Sequence, residues 1–91
     1  MSVAYDVRVS GRVQGVGYRY YTRECARSLG VTGYVRNVPD GMVEAVIVGT
    51  AEACEKMLYA LERGPGGGRV DDVSALPLRP PPHYDDFQVT F

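Results

Sequence analysis

Apolar residues recur at every second position near the start of the chain, and at every third or fourth position soon afterwards. The period of two joins Val3, Tyr5, Val7 and Val9. Such alternation is typical of a half-buried strand. The longer period joins Tyr18, Tyr21, Cys25 and Leu29. It predicts an amphipathic helix from about Tyr20 to Leu29, which Gly30 can end in a left-handed conformation.

The middle of the chain predicts a hairpin and then a second helix. Two apolar runs flank Pro39-Asp40-Gly41, where proline fixes φ and glycine accepts a positive φ. Residues 32–49 are therefore expected to form two strands joined by a tight turn. Thr50 suits the N-cap of the following helix. The helix presents its apolar residues at i, i+3, i+4 and i+7, namely Cys54, Met57, Leu58 and Leu61.

The last third of the chain returns to the alternation of a strand. The glycine-rich segment at 64–68 ends the second helix, and strand character follows from Val70 to Leu78. After the prolines at 80–82, apolar residues alternate again at Phe87, Val89 and Phe91. The order of elements predicts one α+β domain over residues 1–91 with a ferredoxin-like βαββαβ fold, an antiparallel sheet with two helices on one face.

The topology of this fold predicts where distant segments meet. A right-handed first crossover places the third strand between the first and the second. It also brings Asn37, near the end of the second strand, toward the glycine-rich loop that follows the first strand. These two segments are therefore expected to form one cleft.

Composition and charge limit the partners. A chain of 91 residues, 45% of them hydrophobic, can bury a core without a metal or a second copy, so a monomer is predicted. A net charge of -1 argues against a nucleic-acid partner, and no apolar run is long enough to predict a membrane partner. Cys25 and Cys54 lie in helical patterns, which favours buried free thiols in a reducing, cytoplasmic compartment.

The loop after the first strand carries the main chemical signal. GRVQGVGYRYYTRE, residues 11–24, places three glycines just before a helix. Such a turn exposes backbone N–H groups next to the positive end of a helix dipole, an arrangement that suits an anion. Arg19 adds a guanidinium that keeps its proton near neutral pH and can grip two phosphoryl oxygens. The loop lacks a P-loop Lys-Ser/Thr and a cysteine nucleophile, and taken alone it could equally be a plain connection.

Two segments together make the pattern more specific. GRVQGVGYR at 11–19 and GYVRNVPDGMVE at 33–44 resemble the acylphosphatase family, and GPGGGRVDDV at 64–73 is similar to the family's stretch after the second helix. The resemblance implies a ferredoxin-like fold and hydrolysis of acyl phosphates to a carboxylate and inorganic phosphate. It implies a phosphate cradle made of Gln14, Gly15, Val16, Gly17, Tyr18 and Arg19. It also implies that Asn37 positions the attacking water, with Tyr18 standing where the family commonly has phenylalanine.

The chemistry of an acyl phosphate fits these residues. Its leaving group is a carboxylate, which needs no general acid, and phosphoryl transfer depends on positioning and charge stabilisation. Arg19 and the loop amides supply the charge, while the amide of Asn37 can hold a water by donating and accepting hydrogen bonds. We therefore expect hydrolysis assisted by the substrate, without a protein base, phosphoenzyme, metal or cofactor.

Other polar residues are expected to be structural. His83 lacks a partner motif, and the acidic pairs at 71–72 and 85–86 lack the spacing of a metal loop. Turn chemistry explains Asp40, and charge pairing between strands explains Glu44. Arg36 is expected on the face of the sheet opposite Asn37.

Two other functions use the same order of elements. RNA-recognition modules share it, but the third strand here offers no stacking rings and the chain has one lysine. A regulatory module could bind a phosphorylated metabolite in the same cradle without hydrolysing it. Asn37 favours the hydrolase over this alternative.

Overall fold

The computed structural model describes all 91 residues and contains two helices and five strands. The elements in chain order are β1 (Val3–Arg12), α1 (Tyr18–Leu29), β2 (Thr32–Asn37), β3 (Val43–Gly49), α2 (Ala51–Arg63), β4 (Arg69–Pro77) and β5 (Phe87–Thr90). Neither helix has the length and apolar character required to cross a membrane.

The five strands form one sheet in the order β4-β1-β3-β2-β5. β3 lies between β1 and β2, as the right-handed crossover predicts. The pairs β1–β3, β1–β4 and β2–β3 are antiparallel. The ferredoxin-like prediction is confirmed, and the structure adds a parallel pair between β2 and β5 that makes the sheet mixed. This pair forms because β2 would otherwise be an edge strand, and the last segment of the chain runs along it.

The main core lies between the two helices and one face of the sheet. α2 contributes Cys54, Met57 and Leu61, three of the four residues that its periodicity predicts, while Leu58 is partly buried. Thr50 caps this helix as predicted, because its Oγ1 accepts a hydrogen bond from the Ala53 N–H at 3.0 Å. The predicted turn at 39–41 joins β2 to β3, with Gly41 at a φ of 93°.

The structure corrects the start and the buried stripe of α1. The helix begins at Tyr18 and not at Tyr20, because the first helical hydrogen bond runs from the Tyr21 N–H to the Gly17 carbonyl at 3.0 Å. Its fully buried residues are Tyr18, Thr22 and Ala26. Thr22 can be buried because its hydroxyl donates to the Tyr18 carbonyl at 2.8 Å. Cys25 is consequently half-buried, whereas Cys54 is buried as predicted, and both thiols are free.

The other face of the sheet carries a polar network. Glu44 is 5% exposed and accepts hydrogen bonds from Arg36 at 2.6 Å and from Arg8 at 3.1 Å. Both arginines lie directly opposite Glu44 in the ladders. Burial opposes ionisation of Glu44, but the Arg36 hydrogen bond and the charges of both arginines outweigh it, so the pKa of Glu44 is lowered. The predicted charge pairing between strands explains this residue.

Candidate active site

The loop between β1 and α1 keeps the space beside its backbone open. Gly15 and Gly17 have φ angles of 74° and 77°, a left-handed conformation that glycine adopts without a steric penalty. A Cβ built on either residue would meet no atom within 4 Å. Glycine is therefore needed at both positions for the positive φ of the loop, and not to make room for a neighbouring atom. The surface beside the loop backbone stays accessible.

The start of α1 offers hydrogen-bond donors without partners inside the helix. Gly17 is the N-cap and provides no side-chain cap, and the first turn contains no acidic residue. The N–H groups of Tyr18, Arg19 and Tyr20 precede the first helical hydrogen bond, so none of them has an acceptor one turn earlier. An anion bound at this helix start would receive these donors together with the positive end of the helix dipole.

Tyr18 contributes only its backbone to this surface. Its side chain is 1% exposed, and its hydroxyl donates to the Leu61 carbonyl at 2.7 Å. Burial, followed by the neighbouring Tyr21 and Cys25, raises the pKa of Tyr18, so the phenol stays neutral. The Tyr18 hydroxyl thus fastens the start of α1 to α2.

Arg19 carries a charge that no carboxylate in the chain neutralises. None of the ion pairs in the structure includes it. Its guanidinium carbon lies 4.8 Å from the centre of the Phe91 ring, and its Nη1 donates a long hydrogen bond of 3.5 Å to the Thr90 carbonyl. The cation–π contact holds the arginine at the end of β5 while leaving its charge available to an anion. The alternation at the end of the chain did not indicate this role for Phe91, whose side chain is exposed.

Asn37 is the last residue of β2, as predicted, and one atom of its side chain lacks a partner. Its Oδ1 is buried and makes no hydrogen bond to the protein. Buried polar atoms are nearly always hydrogen-bonded, so this unpaired acceptor is an exception, which it shares with the Oδ1 of Asp6. A hydrogen bond from a water molecule would satisfy it.

Gln14 joins the loop to the hairpin that carries Asn37. Its Nε2 donates to the carbonyl oxygens of Val38 at 2.9 Å and Met42 at 2.8 Å. The side chain of Gln14 is thereby engaged with protein, which leaves its backbone N–H as the group that could serve a phosphate. The periodicity of the sequence does not predict this contact. The contact nevertheless joins the loop to the β2–β3 hairpin, two segments that were expected to meet.

The glycine-rich segment after α2 packs beside the loop. A Cβ on Gly68 would lie 2.8 Å from the Arg12 carbonyl oxygen and 3.2 Å from a methyl of Val16. Val16 is half-buried and packs against the main core. Glycine at 68 is thus explained by a close approach to the base of the loop.

The remaining candidate residues pair with close neighbours in the chain. His83 is exposed and hydrogen-bonds only to Asp85, at 2.9 Å, and Asp71 pairs with Arg69 at 2.8 Å. No group of three or more His, Cys, Asp or Glu side chains lies close enough to hold a metal. The largest cavity, about 520 Å³, lies against Tyr34 and Tyr84 and includes no residue of the loop.

Comparison with known proteins identifies the family that shares this arrangement. The family model described as Acylphosphatase matches residues 5–89. An acylphosphatase from Methanothrix thermoacetophila is 44% identical over 91 residues, covering 100% of both chains. One from Rhizobium etli is 47% identical over 87 residues, covering 96% of this chain and 93% of the relative. The crystal structure of acylphosphatase from Bacillus subtilis superposes with a TM-score of 0.95 at 31% identity, covering 98% of this chain and 99% of the other.

Proposed function

We infer the roles of the site residues from one premise: the chain belongs to the acylphosphatase family and is a hydrolase of acyl phosphates. We propose that Arg19 and the amides of residues 14–19 bind the phosphoryl group, and that Asn37 orients the water that attacks it. The observation that carries the proposal is the buried, unpartnered Oδ1 of Asn37 on the hairpin to which the loop is hydrogen-bonded.

Phosphoryl binding in this proposal combines many weak contributions with one strong one. The helix dipole contributes about 0.3 to 2 kcal/mol, which is too little for catalysis by itself. The loop amides add direct hydrogen bonds, and Arg19 adds a full charge. In comparable phosphoryl transfers a single arginine is worth about 10³ to 10⁵ in rate. Arg19 is therefore the residue on which the transition state depends most.

The reaction step needs a positioned water more than it needs an acid. Water oxygen forms a bond to phosphorus while the bond from phosphorus to the carboxylate oxygen breaks, and the carboxylate leaves with the electron pair. The proton of the water passes to a phosphate oxygen. Asn37 accepts a hydrogen bond from the water through Oδ1, which fixes its approach in line with the leaving group.

The proposal includes no phosphoenzyme, metal or cofactor. Cys54 is buried in α2, and burial raises the pKa of its thiol, so it is a poor nucleophile. Cys25 lies on α1, away from the loop backbone that would hold the phosphate. All the proposed residues belong to one chain, so the function requires no second copy, and a small acyl phosphate suffices as substrate.

The test is phosphate release from acetyl phosphate in the presence of a chelator, with a phosphate monoester as the control substrate. Arg19→Gln is expected to lower kcat/KM by about 10³-fold or more and to abolish phosphate inhibition. Asn37→Ala is expected to keep phosphate inhibition while losing most of kcat. Arg23→Gln, one turn further along α1 and already paired with Glu24, is the matched control and should resemble the wild type.

Two outcomes would contradict the proposal. Equal phosphate affinity in the wild type and Arg19→Gln would remove Arg19 from the site. A folded wild type that binds phosphate without releasing it from acetyl phosphate would favour the regulatory module that senses an anion.

A further inference from the structure

We infer that Gln14 is a positioning residue whose side-chain amide sets the geometry between the phosphate cradle and Asn37. The inference deepens the proposed function and rests on it. Gln14 directly precedes Gly15 in the loop. Asn37 directly precedes Val38, whose carbonyl oxygen accepts a hydrogen bond from Gln14.

The amide of Gln14 holds both ends of the hairpin turn. Its two N–H hydrogens match two acceptors, the carbonyl oxygens of Val38 and Met42, at 2.9 and 2.8 Å. The same two carbonyls also close the turn, because the Val38 N–H donates to Met42 at 3.0 Å and the Gly41 N–H donates to Val38 at 3.1 Å. Each carbonyl thus accepts two hydrogen bonds, and the side chain of Gln14 becomes part of the turn.

The two hydrogen bonds from Gln14 to Val38 and Met42, here called the clamp, lie next to Asn37 on both strands. Val38 follows Asn37 in the chain, and Met42 precedes Val43, the partner of Asn37 in the β2–β3 ladder. The ladder between β1 and β3 ends at the pair Val9 and Val43, five residues before Gln14. Beyond that pair, Gln14 is the side chain that ties the loop to the hairpin by hydrogen bonds.

The two halves of the reaction depend on this clamp to different degrees. Phosphate binding uses the loop amides and Arg19, none of which belongs to the hairpin. Attack by water also requires the correct position of Asn37 relative to phosphorus, and a displacement of about 1 Å can lower a rate by about 10²-fold. Loss of the clamp is therefore expected to lower kcat much more than phosphate affinity.

The main test is Gln14→Met, which keeps an unbranched side chain and adds no charge near the phosphate. We expect kcat to fall about 10²-fold, with the inhibition constant of phosphate within about threefold of the wild type. Gln14→Asn keeps the amide but is one methylene shorter, and it serves if the methionine variant does not fold. The matched control is Tyr21→Phe, which removes another hydrogen bond from a side chain to a distant carbonyl, at 2.7 Å to Ala60, and should lower stability without this effect on kcat.

A double-mutant cycle separates positioning from a general structural effect. If Gln14 acts through Asn37, Gln14→Met should cost less than about twofold in kcat when Asn37→Ala is already present. An equal cost in both backgrounds would overturn the inference, and so would an unchanged kcat in the folded single variant. Parallel losses of kcat and phosphate affinity would also overturn it.

A structural measurement keeps this result distinct from failure of the proposed function. The side-chain amide resonance of Asn37, followed by NMR in the free protein, should shift in Gln14→Met and stay unchanged in Tyr21→Phe. If Asn37→Ala retains kcat, the proposed role of Asn37 is wrong. An unshifted Asn37 resonance in Gln14→Met would instead refute the clamp, whatever the activity.

Discussion

The two helices of this protein each follow a strand, but they begin in opposite ways. The N-cap of α2 is Thr50, whose hydroxyl oxygen accepts the Ala53 N–H at 3.0 Å, and Glu52 places a negative charge in the first turn. The N-cap of α1 is Gly17, which provides no side-chain cap, and the first turn of this helix contains Arg19 and no acidic residue. One helix start is satisfied by its own residues, whereas the other has no side-chain cap and leaves its N–H donors free for the proposed anion.

This difference defines what the proposed anion would supply to α1. A side-chain cap contributes about 1 kcal/mol, and an acidic residue in the first turn adds a few tenths. α1 does without both contributions. The positive charge of Arg19 at a positive helix end is also unfavourable in the free protein. The proposed anion would give the free N–H groups an acceptor and place a negative charge beside Arg19, so part of its binding energy would come from capping α1.

The largest expected effect comes from giving α1 an anion of its own. Gly17→Asp places a carboxylate beside the free donors, and its charge repels phosphate. We expect at least a 10²-fold loss of phosphate affinity and of kcat/KM, equivalent to about 2.7 kcal/mol. Gly17→Asn has the same shape without the charge, and both residues tolerate a left-handed φ better than most. Calorimetry with phosphate checks the pair, and an aspartate variant that binds as tightly as the wild type would refute the uncapped site.

The second effect is stabilisation of the folded chain by phosphate. At 100 times its dissociation constant, phosphate should add about 2.7 kcal/mol, or a rise of about 10 °C or more in Tm. The rise should persist in Thr50→Ala and vanish in Gly17→Asp. Thermal unfolding with and without phosphate measures it, and a rise of equal size in Gly17→Asp would place the anion elsewhere.

The third effect removes the cap of α2. Thr50→Ala should cost about 1 kcal/mol of stability and lower Tm by about 4–8 °C, because the Ala53 N–H loses its acceptor. Thr50→Ser retains a hydroxyl and should keep most of the stability. Neither change should alter kcat at a temperature where both variants are folded. A loss of activity in the alanine variant would mean that the two helix starts are not independent.

The smallest effect sharpens the comparison by making the first turn of α1 resemble that of α2. Tyr20 is exposed, so Tyr20→Glu adds a negative charge without disturbing the core. It should stabilise the free protein by a few tenths of a kcal/mol and weaken phosphate binding severalfold. Tyr20→Gln is the control for losing the ring, and the difference between the two variants should shrink in high salt.

The start of α2 could be predicted from sequence and the start of α1 could not, for physical reasons. Thr50 is a typical N-cap, and apolar residues at helical spacing follow it directly, so the local sequence is sufficient to predict where α2 starts. At α1 the cap is a glycine in a run of glycines, and the first turn mixes a buried Tyr18 with an exposed Tyr20. The predicted start was therefore two residues late.

The features of the site also divide into those that the local sequence indicates and those that only the folded chain reveals. The open loop, Arg19 and Asn37 were singled out because their residue types match a known chemistry and a known family pattern, and their roles stay predictions. Two contacts join residues that are far apart in sequence: Gln14 with the hairpin, and Arg19 with Phe91. The local pattern of apolar residues therefore does not predict them. The parallel pairing of β5 depends on which sheet edge remains vacant, which is also a property of the folded chain.

The position of β1 in the sheet has a consequence for the folding of the protein. β1 pairs with β3 on one side and with β4 on the other, and both partners are made from much later parts of the chain. Chains that depend on such distant pairings fold slowly, commonly in milliseconds to seconds. The loop extends from β1 and the hairpin from β3, so the two halves of the site come together only when these two strands pair. Enzyme activity during refolding should thus return with the slow closure of the sheet, and not with the faster formation of the helices.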